Sequence, residues 1–90
     1  MHKYVVIVEK SILSEDIKSL EKCSNDHLDY LKNLQKSGNL EIAGKFIDET
    51  GGMYILLANS DEEAYEFAKN DPYYINNLIK IEIKQWDQKI

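Results

Sequence analysis

Two short stretches constrain this chain more than anything else in it. Tyr4-Val5-Val6-Ile7-Val8 and Met53-Tyr54-Ile55-Leu56-Leu57-Ala58 are unbroken apolar runs, so each reads as a strand buried on both faces rather than one with a wet side. A chain of 90 residues has room for a single domain, residues 1–90, and a single core, so both strands belong in the middle of one sheet. The N-terminal run is too short for the core of a signal peptide or for a membrane span, which makes the cytosol the default location.

The remaining segments fall around these two strands. Ser14-Glu15-Asp16 resembles a helix start, which predicts a short helix over about residues 14–22. Ser24-Asn25-Asp26 then offers fresh capping residues for a main helix carrying Leu28, Leu31 and Leu34, with Gly38 as its C-terminal glycine. Leu40 to Ile47 alternates weakly and reads as a strand with one polar face, Leu40, Ile42 and Gly44 on one side and Glu41, Ala43 and Lys45 on the other. Asp48 to Gly52 is turn chemistry, its two glycines permitting positive φ. Ser60-Asp61-Glu62-Glu63 is a capping-box start for a second helix through Ala64, Phe67 and Ala68, which Asp71-Pro72 stops. Leu78 to Trp86 sets Ile79, Ile81 and Ile83 against Lys80, Glu82 and Lys84, a strand with one wet face.

The order β-α-β-β-α-β is the ferredoxin-like α+β pattern, with antiparallel sheet order 4-1-3-2 and both helices on one face. The two doubly apolar strands are the first and third, the central pair in that order. Nothing within one chain covers the helix-free face, where alternate residues of Val5 to Val8 and Met53 to Ala58 would lie bare. A patch of that kind predicts association with a second copy. Cys23 is the one cysteine, so neither an internal disulfide nor a thiolate zinc cluster supports so small a core, and a homodimer is the remaining support. Eleven lysines and no arginine stand against 16 acidic residues, for a net charge of −5. Nucleic acid and anionic membranes, which need a basic footprint, are therefore excluded as partners.

The candidate chemistry gathers at the end of the sheet where the first strand finishes. Strand directions bring Glu9 and Lys10, the start of the main helix with His27, Gly44 and Lys45, Gly51 and Gly52, and Asp71 to that one end. At about 100° per residue, His27 projects between Leu31 and Leu34 on the apolar side of its helix, while Asp26 and Asp29 point to water. A core histidine bonded to a backbone carbonyl is an equal reading of that placement. In the first helical turn, His27 would feel the positive end of the helix dipole, which favours the neutral imidazole. Asp71 could fix its tautomer, and a histidine with a carboxylate is a general acid/base pair. Read alone, Asp71 is also a plain helix stop, and Gly51-Gly52 a plain hairpin turn. Tyr73, Tyr74 and Trp86 suit either a planar ligand or a dimer face. Cys23 fits a small core residue, and His2 a disordered terminus. No phosphate-binding glycine loop, metal-spaced histidine pair or serine elbow is present.

Asp26-His27-Leu28-Asp29-Tyr30-Leu31, Ser37-Gly38-Asn39-Leu40-Glu41-Ile42-Ala43-Gly44, Gly51-Gly52-Met53-Tyr54-Ile55-Leu56 and Asn70-Asp71-Pro72-Tyr73, in that order and with a final strand ending near Trp86, resemble the YCII-related (YciI-like) family over nearly the whole chain. The resemblance implies a small ferredoxin-like protein that forms a homodimer of the dimeric α+β barrel kind. It also implies a shared histidine and aspartate, here His27 and Asp71, and lyase or isomerase chemistry on small cyclic compounds. Many members carry an arginine where this chain has Ser24 and a proline where it has Lys45; Ser24 cannot replace an arginine that grips an anionic substrate, Lys10 or Lys45 could supply positive charge instead, and no substrate carries over from the resemblance.

The expectation is thus a cofactor-independent enzyme, without a metal, in which His27 moves a proton on a small cyclic or aromatic metabolite and Asp71 orients it. Gly44, Gly52, Tyr73 and Lys10 are the expected substrate-binding residues. The alternative is a non-catalytic module that binds a small molecule or partner in the same place. A monooxygenase of the related barrel architecture lacks any supporting signature.

Overall fold

The computed structural model describes residues 1–11 and 16–90. Its elements are β1 (His2–Lys10), α1 (Asp16–Lys36), β2 (Leu40–Lys45), β3 (Gly51–Ala58), α2 (Asp61–Lys69), α3 (Pro72–Ile75) and β4 (Ile79–Trp86). The four strands form one antiparallel sheet in the order β2-β3-β1-β4, so the two doubly apolar runs are the central pair as their composition requires.

Alternation in β1 sends Tyr4, Val6 and Val8 into the core, where they meet Leu31 and Leu34 of α1 and Ala64 and Ala68 of α2. Both helices therefore cover the same face. The small alanines let α2 lie close to the sheet, and Ile79, Ile81 and Ile83 bring β4 into the same cluster. On the other face Val5 pairs with Ile55 and Ile7 with Met53, while β4 presents Lys84 and Glu82 beside them.

Four local expectations are corrected. α1 is one continuous helix of 21 residues, not two. Ser24 does not cap a new helix: its hydroxyl donates to the Glu21 carbonyl at 2.9 Å, satisfying itself within the helix, and the modest propensity cost of Ser-Asn-Asp is borne by the packing of Leu31 and Leu34. The expected start of the first helix at Ser14 and Glu15 lies outside the described residues. Next, β2 does not keep a simple alternation. An irregularity between Leu40 and Ile42 leaves Leu40 buried and turns Ile42 to the open face opposite Ile55. Third, the β2–β3 turn places its positive φ at Glu49 (64°), not at a glycine, with Asp48 accepting from the Thr50 amide and hydroxyl. Gly51 and Gly52 instead open β3. Lastly, His2 is not a loose terminus; it begins β1 opposite Ala58.

Gly38, by contrast, ends α1 at φ 82°, the left-handed position expected of it. Asp71-Pro72 stops α2 and also starts α3, with Asp71 as N-cap and Pro72 in the first turn.

Candidate active site

The site is built where α1 meets α3. Asp71 is fully buried, an unusual state for a carboxylate, and its partners explain it. Oδ1 accepts from the Tyr73 amide at 3.0 Å, the capping bond of α3. Both oxygens also face His27, whose Nδ1 lies 2.7 Å from Oδ1 and 2.9 Å from Oδ2. A carboxylate accepts, so Nδ1–H of His27 donates, and in the neutral ring Nε2 is then left as the acceptor.

The imidazole is held on a second side by stacking on Tyr73, with ring centroids 4.0 Å apart and planes 12° from parallel. Tyr30, one turn below His27 on α1, donates its hydroxyl to the Phe67 carbonyl of α2 at 2.8 Å, closing α1 onto α2. Burial, and after it the charge of Asp71, pushes the phenols of Tyr30, Tyr54 and Tyr73 above the usual tyrosine range. Cys23, expected as a small core residue, is half-buried one turn before His27.

His27, Asp71 and Tyr73 thus come together, from two elements distant in sequence. His27 does so from the middle of α1, eleven residues after Asp16, and not from a first turn. The helix-terminus field falls off within about one turn, so it does not act on this ring, and Asp71 is what orients it. The other expected ligand contacts lie on three neighbouring strands at the end of the sheet where β1 finishes, as the strand directions predict. Lys10 is exposed at the end of β1, where its amide donates to the Thr50 carbonyl. Gly44 and Gly52 lie on neighbouring strands, and a Cβ on Gly52 would come within 2.5 Å of the Gly44 carbonyl oxygen. The space that Gly52 leaves is therefore taken up by strand packing. Among the described residues, no group of three or more His, Cys, Asp or Glu side chains gathers as a metal site would. Sequence reasoning missed Tyr54: it was counted only as part of an apolar run, although a tyrosine in a doubly buried strand has a hydroxyl that needs a partner.

Comparison with known proteins gives the chain relatives in sequence and in fold. The chain is 38% identical over 63 residues to the uncharacterized protein YjpA of Bacillus subtilis (strain 168), covering 70% of this chain and 74% of that protein. Two solved structures share the fold. One is the 5-chloro-2-hydroxyhydroquinone dehydrochlorinase TftG of Burkholderia phenoliruptrix AC1100, in complex with 2,5-dihydroxybenzoquinone, at TM-score 0.82 and 20% identity over 97% of this chain and 95% of that one. The other is muconolactone isomerase, at TM-score 0.79 and 14% identity over 97% and 90%. The model of the YCII-related domain matches residues 2–87, and the chain belongs to that family.

Proposed function

We propose that this protein is a cofactor-independent enzyme that moves a proton on a small cyclic or aromatic metabolite, with His27 as the base and Asp71 as the group that fixes it. The observation that carries this reading is the contact of Nδ1 with both Asp71 oxygens, which leaves Nε2 as the proton acceptor on a half-buried ring. Asp71 also offsets the charge that the imidazole gains when it takes the proton. Abstraction at one carbon and return at another is an isomerisation; abstraction followed by departure of a neighbouring group is an elimination. One positioned base serves either, and two solved structures that share the fold, a dehydrochlorinase and an isomerase, support the choice.

The working unit in this reading is a homodimer. Ile7, Ile42, Met53 and Trp86 are all exposed, Ile42 by 58%, and they lie on the sheet face that no helix covers. A second copy packed sheet to sheet removes that patch from water. Light scattering at micromolar concentration tests it, and a monomer there contradicts it.

The test of the reaction is a turnover screen of hydroxylated aromatic rings and unsaturated lactones with the wild-type protein, His27→Ala and Asp71→Asn. Both variants should keep the oligomeric state and lose about 10²–10⁴-fold in kcat. Equal turnover in the variants removes the mechanism. A ligand retained but never converted favours a binding module instead.

A further inference from the structure

The hydroxyl of Tyr54 is buried and has no hydrogen-bond partner among the described residues. Buried hydroxyls are almost always paired, and one left alone keeps its whole desolvation cost, so the exception calls for a reason. The ring sits on the helix-covered face of β3, in register with Val6 and in the cluster against which Tyr30 and Tyr73 pack. Tyr30 donates to the Phe67 carbonyl, and His27 and the Tyr73 amide both engage Asp71. Burial and the nearby charge of Asp71 keep the Tyr54 phenol protonated, so its proton is free to be donated.

Charge narrows what it can meet. The chain has no arginine, and every lysine is exposed except the half-buried Lys3, which pairs with Glu41 at the far end of β1. Among the described residues Asp71 is therefore paired with His27 and with no lysine. A carboxylate or phosphate brought into this cluster would face Asp71 with nothing to offset it.

We propose that Tyr54 donates its hydroxyl hydrogen to an uncharged oxygen, carbonyl or phenolic, of the ligand handled by the His27–Asp71 pair, so that the site takes neutral oxygenated rings and rejects carboxylates and phosphates. This rests on the reading of that pair as the reactive centre. Because the hydroxyl itself is covered, the ligand enters beside the half-buried Tyr73.

The experiment follows the His27 ring signals by NMR during titration with hydroquinone and catechol, and with benzoate and 4-hydroxybenzoate, in wild type and Tyr54→Phe. The neutral probes should bind in preference to the carboxylates and bind Tyr54→Phe about tenfold more weakly. The Tyr54→Phe melting temperature should be no lower than wild type, since no protein partner is lost. The proposal is overturned by no response to the neutral probes, by equal affinity in Tyr54→Phe, or by carboxylates bound as tightly. A lowered melting temperature in Tyr54→Phe does so too, because it shows a structural bond. Equal affinity in Tyr54→Phe beside lost turnover in His27→Ala removes Tyr54 and leaves the pair. Weakened binding beside normal turnover in His27→Ala leaves the Tyr54 contact and removes the pair.

Discussion

The imidazole of His27 lies flat on the ring of Tyr73, the centroids 4.0 Å apart and the planes 12° from parallel. Stacking fixes the plane of the imidazole, and Asp71 fixes its rotation within that plane through Nδ1. The two restraints share one origin, because the carboxylate that holds Nδ1 also caps the short helix that carries Tyr73. Replacing Tyr73 separates them. Tyr73→Phe should keep the stack and wild-type stability, whereas Tyr73→Leu should lose about 0.5–1.5 kcal/mol beyond the change in buried area, read from urea unfolding. Tyr73→Leu should also broaden the His27 ring signals, and sharp unshifted signals would show that Asp71 alone suffices.

Asp71 carries two loads, and two substitutions tell them apart. Asp71→Asn keeps an acceptor for the Tyr73 amide and a partner for Nδ1–H, and should cost little stability while lowering turnover. Asp71→Ala removes the cap, worth about 1 kcal/mol, and the charge-assisted bond to His27, worth about 1.5–3 kcal/mol, and leaves Nδ1–H unpaired. A combined loss of roughly 2–4 kcal/mol in chemical denaturation is the expected outcome. Equal stability of the two variants would mean that the buried carboxylate is not what holds α3 against α1.

These contacts mark where the sequence was legible and where it was not. The strand order could be read because two apolar runs had to be central, and apolar periodicity needs no knowledge of neighbours. That His27 and Asp71 approach one another also followed from strand directions. The continuity of α1 did not, because Ser24, Asn25 and Asp26 are good caps and tolerable helix residues alike, and the choice is made by how Leu31 and Leu34 pack. The stack on Tyr73 depends on the turn at Pro72, and the missing partner of Tyr54 on three elements meeting. Neither is encoded within any one segment.

Gly51 and Gly52 read in the sequence as turn residues and Gly44 as a ligand contact, but what sets the three apart is the room beside each. A Cβ on Gly51 would overlap the Val8 carbonyl of the neighbouring strand, one on Gly52 would reach the Gly44 oxygen at 2.5 Å, and one on Gly44 would meet nothing within 4 Å. Alanine should therefore destabilise most at Gly51, by about 3 kcal/mol or more, and less at Gly52, by about 1–3 kcal/mol. Gly44→Ala should be neutral or stabilise by about 0.4–1 kcal/mol, since its φ is not in the left-handed region and alanine restricts the unfolded chain. Thermal melts of the three variants check the ranking. A Gly44→Ala variant that is stable but has lost ligand affinity would place that strand at the site; a destabilised one would contradict the open space beside it.

The buried phenols tie the site to alkaline stability. Burial first, and Asp71 second, raises Tyr30, Tyr54 and Tyr73 above the value of about 10 that an unfolded tyrosine has. Below about pH 10 both the folded and the unfolded chain keep these protons, so the three groups contribute no pH dependence there. Above it the unfolded chain releases them while the folded chain does not, and stability falls as pH rises toward the folded values. The urea midpoint should therefore be insensitive to these groups between about pH 8 and 9.5 and drop steeply beyond about pH 10. Phenolate absorbance from these rings should appear together with loss of the circular dichroism signal, not before it. Tyr54→Phe should make the fall above pH 10 shallower and leave the neutral-pH midpoint no lower. If all six tyrosines ionise while the chain is still folded, the phenols around Asp71 are open to solvent and the buried cluster is not there.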